Sequence, residues 1–280
     1  MMETNKEHAS QWFKNLRNSI CKSFEEIENI YSGEMANSEP GRFERRLWDR
    51  PGGGGGEISI MKGRVFEKVG VNFSEVFGEF SPKFQNKIHG AEEDPTFWAS
   101  GISIVAHMNS PLVPAAHMNT RFIETKEQWF GGGIDLTPTF PDEEETVFFH
   151  NELKKICNEY DSSSYDRYSK WCEEYFYLPH RRESRGVGGI FFDQLNSGNW
   201  ERDFSFVKKV GEGFKNIFPE IIKKKFNKNW SDDQKKQQLI KRGRYVEFNL
   251  IHDRGTKFGL ETDGNTEAIL MSLPPLASWP

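Results

Sequence analysis

The sequence predicts an α+β fold with a mostly antiparallel sheet. Three observations lead there. Several short segments between residues 58 and 136 alternate apolar and polar side chains, as half-buried strands do. Helical periodicities lie mostly outside that region, at 9–31 and from 142 onward. The two kinds of segment do not alternate regularly, as a parallel sheet with crossover helices would require. No internal repeat or clean boundary divides the 280 residues, so a single domain over 1–280 is expected.

Taken in order, residues 9–31 place Trp12, Leu16, Ile20, Phe24, Ile27 and Tyr31 at three- and four-residue spacing and predict a core-packing helix. Residues 32–57 read as irregular. They end in five consecutive glycines, 52–56, which lack the GK[ST] ending of a phosphate loop and are expected to be a flexible loop. Strands follow at 58–66 and 69–78, then a polar connector at 84–95, then strands at 101–107, 117–123 and 128–136. Asp142 to Glu145 put acids at a helix start, where the dipole favours them, and that helix runs to about Tyr160. A second aromatic helix covers 163–178 and ends at Pro179. Residues 190–193 form a buried strand, and 200–225 a helix interrupted near Pro219. Ser231 and Gln234 fit a capping box, with the helix expected to stop before Gly243. Residues 245–251 alternate Val246, Phe248 and Leu250 with Tyr245, Glu247 and Asn249, and read as a half-buried strand.

The stretch 103–135 holds the densest chemistry. If 117–123 is a strand, His117, Asn119 and Arg121 share one face, while Met118, Thr120 and Phe122 share the other. Gly131, Gly132 and Gly133 precede Asp135; glycines inside a strand mark a bulge or a close approach to the backbone.

Composition sets bounds. A net charge of −5 gives no support for nucleic-acid binding. Three cysteines without CxxC spacing suit a reducing compartment, and no apolar run approaches the roughly 20 residues of a membrane span, so a cytoplasmic protein is the simplest reading. There is no HExxH, no serine elbow and no Rossmann fingerprint; flavin or nicotinamide use has no support. What remains is a cavity-like set: Ser103, His107, His117, Asn119, Arg121, Asp135, His180, Arg182 and Arg185. Arginines grip carboxylates, and an acid beside glycine backbone can face N–H groups, so the set suits an anionic ligand with several carboxylates and N–H donors.

The motifs KGRVFEKVGVNFSEVFG (62–78), FWASGIS (97–103), HMNTRF (117–122), WFGGGIDLTP (129–138), KWCEEYFYLPHR (170–181), RGVGGIFFD (185–193) and GRYVEFNL..DRGTKFGL (243–260) together resemble the oxygen-dependent coproporphyrinogen III oxidase family. The resemblance runs from about residue 40 to the C-terminus and implies a large antiparallel sheet flanked by α-helices on both sides. It also implies a homodimer and oxidative decarboxylation of coproporphyrinogen III to protoporphyrinogen IX in haem synthesis, with dioxygen as co-substrate and no organic cofactor. By position, Ser103, Asn119, Thr120, Arg121 and Arg185 resemble substrate-binding residues. His117 resembles a proton donor, and Asp135 an acid facing the pyrrole N–H groups; with Arg121 these two are the expected catalytic residues. His107, His117, His150 and His180 match positions that hold a divalent metal in bacterial members. The segment from Tyr245 onward resembles the dimerisation segment. Departures are Glu57-Ile58 for a Ser-Arg pair and Ser278-Trp279 for Arg-Trp. Asp263, Gly264 and Asn265 stand where the family contacts a carboxylate through Gly-Gly-Arg, and the resemblance implies a C-terminus shorter than in relatives. Alternatives to an active oxidase are a non-catalytic tetrapyrrole-binding relative and a metal-dependent hydrolase. Asp135→Ala is expected to abolish turnover with the fold intact, and Arg121→Ala to weaken substrate binding more than chemistry.

Overall fold

The computed structural model describes residues 4–262 and 264–280. Seven strands form one antiparallel sheet: β1 (Glu44–Asp49), β2 (Gly54–Met61), β3 (Phe66–Glu79), β4 (Thr96–Met108), β5 (Ala115–Glu124), β6 (Gln128–Thr137) and β9 (Gly188–Leu195). The first six meander; β9 returns later and adds beside β6. A small hairpin, β7 (Tyr177–Leu178) with β8 (Glu183–Ser184), stands apart. Helices pack on both faces, in agreement with the predicted class.

On one face the sheet carries Val69, Ile104, Met118, Phe122, Phe130, Ile134 and Phe192. They meet Phe13 and Phe24 of α1 (Asn5–Ile30) and Phe214 and Phe218 of α5 (Trp200–Lys225) in a continuous core. α1 starts at a capping box of Thr4 and Glu7. α5 runs unbroken through Pro219, against expectation. Phe214, Phe218, Ile221 and Ile222 are all buried, at roughly 1.5–3 kcal/mol per fully buried large side chain. That burial outweighs the roughly 3 kcal/mol an interior proline costs. α3 (Glu143–Tyr160) begins where Asp142 accepts from the Glu145 N–H. α4 (Ser164–Tyr175) lies along β9 through Tyr168, Cys172 and the following Phe176, and covers that sheet edge. The opposite edge, β1, was read as irregular chain; Glu44, Arg45, Arg46 and Asp49 leave it exposed and charged.

The glycine run is likewise not a loop throughout. Gly54, Gly55 and Gly56 belong to β2 and pair with β3. A Cβ on Gly56 would lie 2.6 Å from the Trp48 ring, so this glycine makes room for the indole across the strand. The short α2 (Pro82–Gln85) leads into the polar connector.

The other face is covered by the C-terminal third. α6 (Asp232–Glu247) starts at the expected Ser231/Gln234 capping box but does not stop at Gly243. It continues into a π turn, Phe248–His252, so the predicted strand at 245–251 is helical. The alternating pattern there also fits a helix: Tyr245, Phe248, Asn249 and His252 recur at i, i+3, i+4 and i+7, and the first three are buried. Gly243 serves packing, since a Cβ there would come within 2.7 Å of the Ser278 carbonyl. α7 (Arg254–Glu261) and α8 (Thr266–Leu270) follow. Ala268 and Met271 cover Ile58 of β2.

Candidate active site

Strand register assembles the site. His117 pairs with Asp135 across β5 and β6, Asn119 with Gly133, and Arg121 with Gly131. Ser103 of β4 pairs with Asn119. Opposed residues of an antiparallel pair point to the same side, so Ser103, His117, Asn119, Arg121 and Asp135 share one face, as expected. Thr120 does not: its side chain is fully buried on the core face, and period-2 alternation allows nothing else. The Thr120 side chain is thus not presented with the other site residues.

Asp135 and Arg185 form the centre. Arg185 donates from Nη2 to Asp135 Oδ1 and Oδ2 at 2.8 and 2.7 Å, and from Nη1 to Asn249 Oδ1 at 3.1 Å. Both side chains of the pair are 2 % exposed. The guanidinium lies among three rings, 3.9 Å from the Phe176 centroid, 4.6 Å from Tyr245 and 4.7 Å from Phe248. His117 donates from Nδ1 to Asp135 Oδ1 at 2.8 Å, and Asn119 Nδ2 donates to His117 Nε2 at 3.1 Å, which sets the imidazole tautomer. Burial alone would drive the Asp135 carboxyl up. The Arg185 charge and the His117 hydrogen bond outweigh it and hold the carboxyl below its ordinary value, so Asp135 is a carboxylate at neutral pH. Burial pulls Arg185 down, and the Asp135 charge more than restores it.

Arg121 lies further along the same face and pairs with Asp193 at 2.9 Å, both about one-third exposed (34 and 29 %). The three glycines explain this crossing. A Cβ on Gly131 would lie 2.7 Å from Asp193 Oδ1 and 3.0 Å from Arg121 Cζ; a Cβ on Gly132 would meet Phe192 at 2.9 Å. The register shifts between Phe130 and Gly132 where β6 meets β9, so the expected bulge is present.

The four histidines expected to hold a metal are not brought together. Buried His107 donates from Nε2 to the Ser272 carbonyl, its ring set against Tyr245, and burial takes its pKa down to about 3. His150 contacts the Tyr165 hydroxyl and the Val187 carbonyl. His180 lies on the surface against His252 and Glu247, and Arg182 is exposed beside it. Among the described residues no three acidic, histidine or cysteine side chains form a metal-binding group. The reason is topological: His150 sits on α3 and His180 at the tip of the β7–β8 turn, whereas only His107 and His117 share the sheet face. The residues do not fit a common ion. Asp263 lies outside the described residues. Gly264 donates its N–H to the Gly259 carbonyl, and Asn265 Oδ1 accepts from Ala268 N as the cap of α8. The Asn265 acceptor is thus occupied in a helix cap, not presented to the Asp135 centre.

Sequence reasoning missed Asn249, Tyr245 and Phe248 as walls of the site, because their segment reads as a strand. The i, i+3, i+4 spacing was the available signal. It also missed Asp193 as the partner of Arg121.

The fold and site define a class: an α+β protein with a seven-stranded antiparallel sheet, whose polar face holds a buried acid–imidazole–guanidinium centre next to a partly open arginine. Comparison places it more closely. A family model described as coproporphyrinogen III oxidase matches residues 8–280. The chain is 59% identical over 279 residues to an oxygen-dependent coproporphyrinogen-III oxidase of Rickettsia bellii (strain RML369-C), covering 100% of each. It is 59% identical over 271 residues to that of Rickettsia rickettsii (strain Sheila Smith) and 60% over 271 residues to that of Rickettsia akari (strain Hartford), each covering 97% of both chains. The chain belongs to the coproporphyrinogen III oxidase family.

Proposed function

We propose that this chain is an oxygen-dependent coproporphyrinogen oxidase. It converts two propionates of coproporphyrinogen III to vinyl groups, giving protoporphyrinogen IX in haem synthesis, with dioxygen as oxidant. The observation that carries the reading is the Asp135–Arg185–His117 centre, buried beside glycine strand, in a chain so similar to oxidases of that name along its whole length. The substrate brings carboxylates and pyrrole N–H groups. Arg185 suits the first and the ionised Asp135 the second, and binding exchanges their mutual contact for contacts to substrate. Asn119 and Ser103 offer polar groups on the same face, and Arg121 a second guanidinium for another propionate.

For each propionate the Cβ–H bond and the bond to the carboxyl carbon break, and a vinyl C=C bond and carbon dioxide form. The two electrons and one proton released, with a second proton taken from solvent, reduce dioxygen to hydrogen peroxide. Asp135 holds or accepts a pyrrole N–H proton as the electron-rich ring is oxidised. The His117 Nδ1–H already points at Asp135 Oδ1 at 2.8 Å, so the two groups can pass a proton without rearrangement. No step is assigned to a metal, because the four histidines do not form one donor set.

A cytoplasmic location is part of the reading; three buried, unpaired cysteines suit a reducing compartment. No helix among the described residues is long and apolar enough to cross a membrane. A homodimer is also proposed. Phe248 of the expected interface is buried within the chain itself, and Ile269, Leu270 and Leu273 are half-buried, whereas Leu250, Ile251 and Leu276 are exposed and available to a partner. Light scattering at micromolar concentration should give twice the chain mass; a monomer would remove the dimer from the reading.

The deciding experiment is an assay of purified protein with coproporphyrinogen in air and without oxygen. Protoporphyrinogen and carbon dioxide should form only in air. Binding without turnover would instead mark a tetrapyrrole-binding relative, and oxygen-independent product would overturn the reading.

A further inference from the structure

Arg185 is held from two sides. Asp135 takes Nη2, and Asn249 takes Nη1. Asn249 is itself buried, and both ends of its amide are committed. Its Oδ1 accepts from Arg185, and its Nδ2 donates to Ser272 Oγ at 3.1 Å. The amide cannot turn over, because a guanidinium has no acceptor to offer. Ser272 Oγ donates onward to the Ile269 carbonyl at 3.2 Å, and the Ser272 carbonyl accepts from His107 Nε2 at 2.9 Å. Lys68 Nζ holds the next carbonyl, Leu273, at 2.8 Å. The segment after α8 is thereby fixed to the sheet face by His107 and Lys68, and Asn249 links it to Arg185.

We propose that Asn249 is the positioning residue for Arg185, with Ser272 as its anchor, so that the C-terminal segment sets the orientation of the guanidinium that receives a substrate carboxylate. The inference rests on the oxidase reading above. Rings surround Arg185 on three sides and supply no directional contact in the guanidinium plane. Asn249 is the in-plane acceptor that remains when substrate draws Asp135 away. Without it the guanidinium meets the carboxylate in many orientations, and a bidentate grip is lost.

The test uses the full-length protein, first shown to turn over coproporphyrinogen in air; failure there is failure of the oxidase reading and not of this one. Asn249→Ala should raise KM for coproporphyrinogen about tenfold, with kcat changed by less than about threefold. Ser272→Ala, which deletes one hydroxyl, should move KM in the same direction by about threefold. Asn249→Asp keeps an oxygen for Arg185 but offers Ser272 no donor and competes with Asp135, so it should not rescue KM. Hydrogen exchange of the free protein gives a readout without substrate: backbone amides around 270–274 should exchange faster in Asn249→Ala than in the unaltered chain. A folded Asn249→Ala with unchanged KM and unchanged exchange at 270–274 overturns the proposal, as does loss of kcat with KM intact. If Asn249→Ala does not fold, an unchanged KM in Ser272→Ala overturns it equally.

Discussion

Arg185–Asp135 and Arg121–Asp193 sit on one face of one sheet, at N–O separations of 2.7 and 2.9 Å, yet the first pair is 2 % exposed and the second about one-third exposed. Both arginines were expected to meet substrate carboxylates. What separates them is solvent. Arg185 has three aromatic rings and an asparagine about it, so its charge and that of Asp135 depend on each other. Arg121 and Asp193 lie at the bulge, where water screens them and either can be released at little cost. Removing one partner of a buried pair strands a charge, whereas removing one partner of an exposed pair does not.

The largest expected effect breaks the buried pair. Asp135→Ala should cost about 3–5 kcal/mol of stability and lower turnover by roughly 10²–10⁴. The sequence-based expectation that this variant keeps its fold stability is therefore revised. Denaturant unfolding with turnover per folded molecule checks it, and a midpoint like that of the parent would break the contrast. Replacing both charges, as Asp135→Leu with Arg185→Met, should restore more than half of the lost stability and none of the activity, because no charge is then left unpaired. A double variant no more stable than Asp135→Ala would show that the His117 contact, not the ion pair, carries the cost.

The same burial acts on His107 and gives a pH signature. Its folded value is about 3 against 6.5 in an open chain. The folded state therefore resists protonation that the unfolded chain accepts. The contribution is full above pH 6.5 and falls as pH drops toward 3, by at most about 1.4 kcal/mol per pH unit. Unfolding free energy measured from pH 7 to 4 should flatten in His107→Gln; an unchanged slope would place the titration elsewhere. Asp135, held below 3.8, adds its own loss only under that pH.

Smaller effects belong to the open pair. Arg121→Ala should cost less than about 1 kcal/mol of stability and weaken substrate binding by about 1.5–3 kcal/mol, seen as a rise in KM larger than the fall in kcat. A stability loss like that of Asp135→Ala would erase the difference between the pairs. Asp193→Asn should be the mildest, within about 0.5 kcal/mol, and its effect should shrink further at high salt.

Legibility followed locality. The faces of β5, the capping box at Ser231 and Gln234, the acids opening α3 and the bulge at the three glycines depend on near neighbours, and each was read correctly. The strand expected at 245–251 was wrong because alternation over seven residues is compatible with either period, and packing against Arg185 and His107 chose the helix. The histidine quartet is not gathered among the described residues, because likeness of position carries no distance. The alternation along β5 also places the Thr120 side chain in the core, away from the face that carries His117, Asn119 and Arg121.

The amino-acid sequence by itself determined the α+β class, the strand periodicity and the placing of His117, Asn119 and Arg121 on one face, because these follow from backbone geometry and the sorting of side chains between water and core. Only the tertiary structure decided which of two arginines is closed and which is open. Arg185 reaches Asp135 across 50 residues and Asn249 across 64, and the segment that buries them arrives from the far end of the chain. Burial is a property of what covers a group, and it sets the strength of its ion pairs and the position of its pKa.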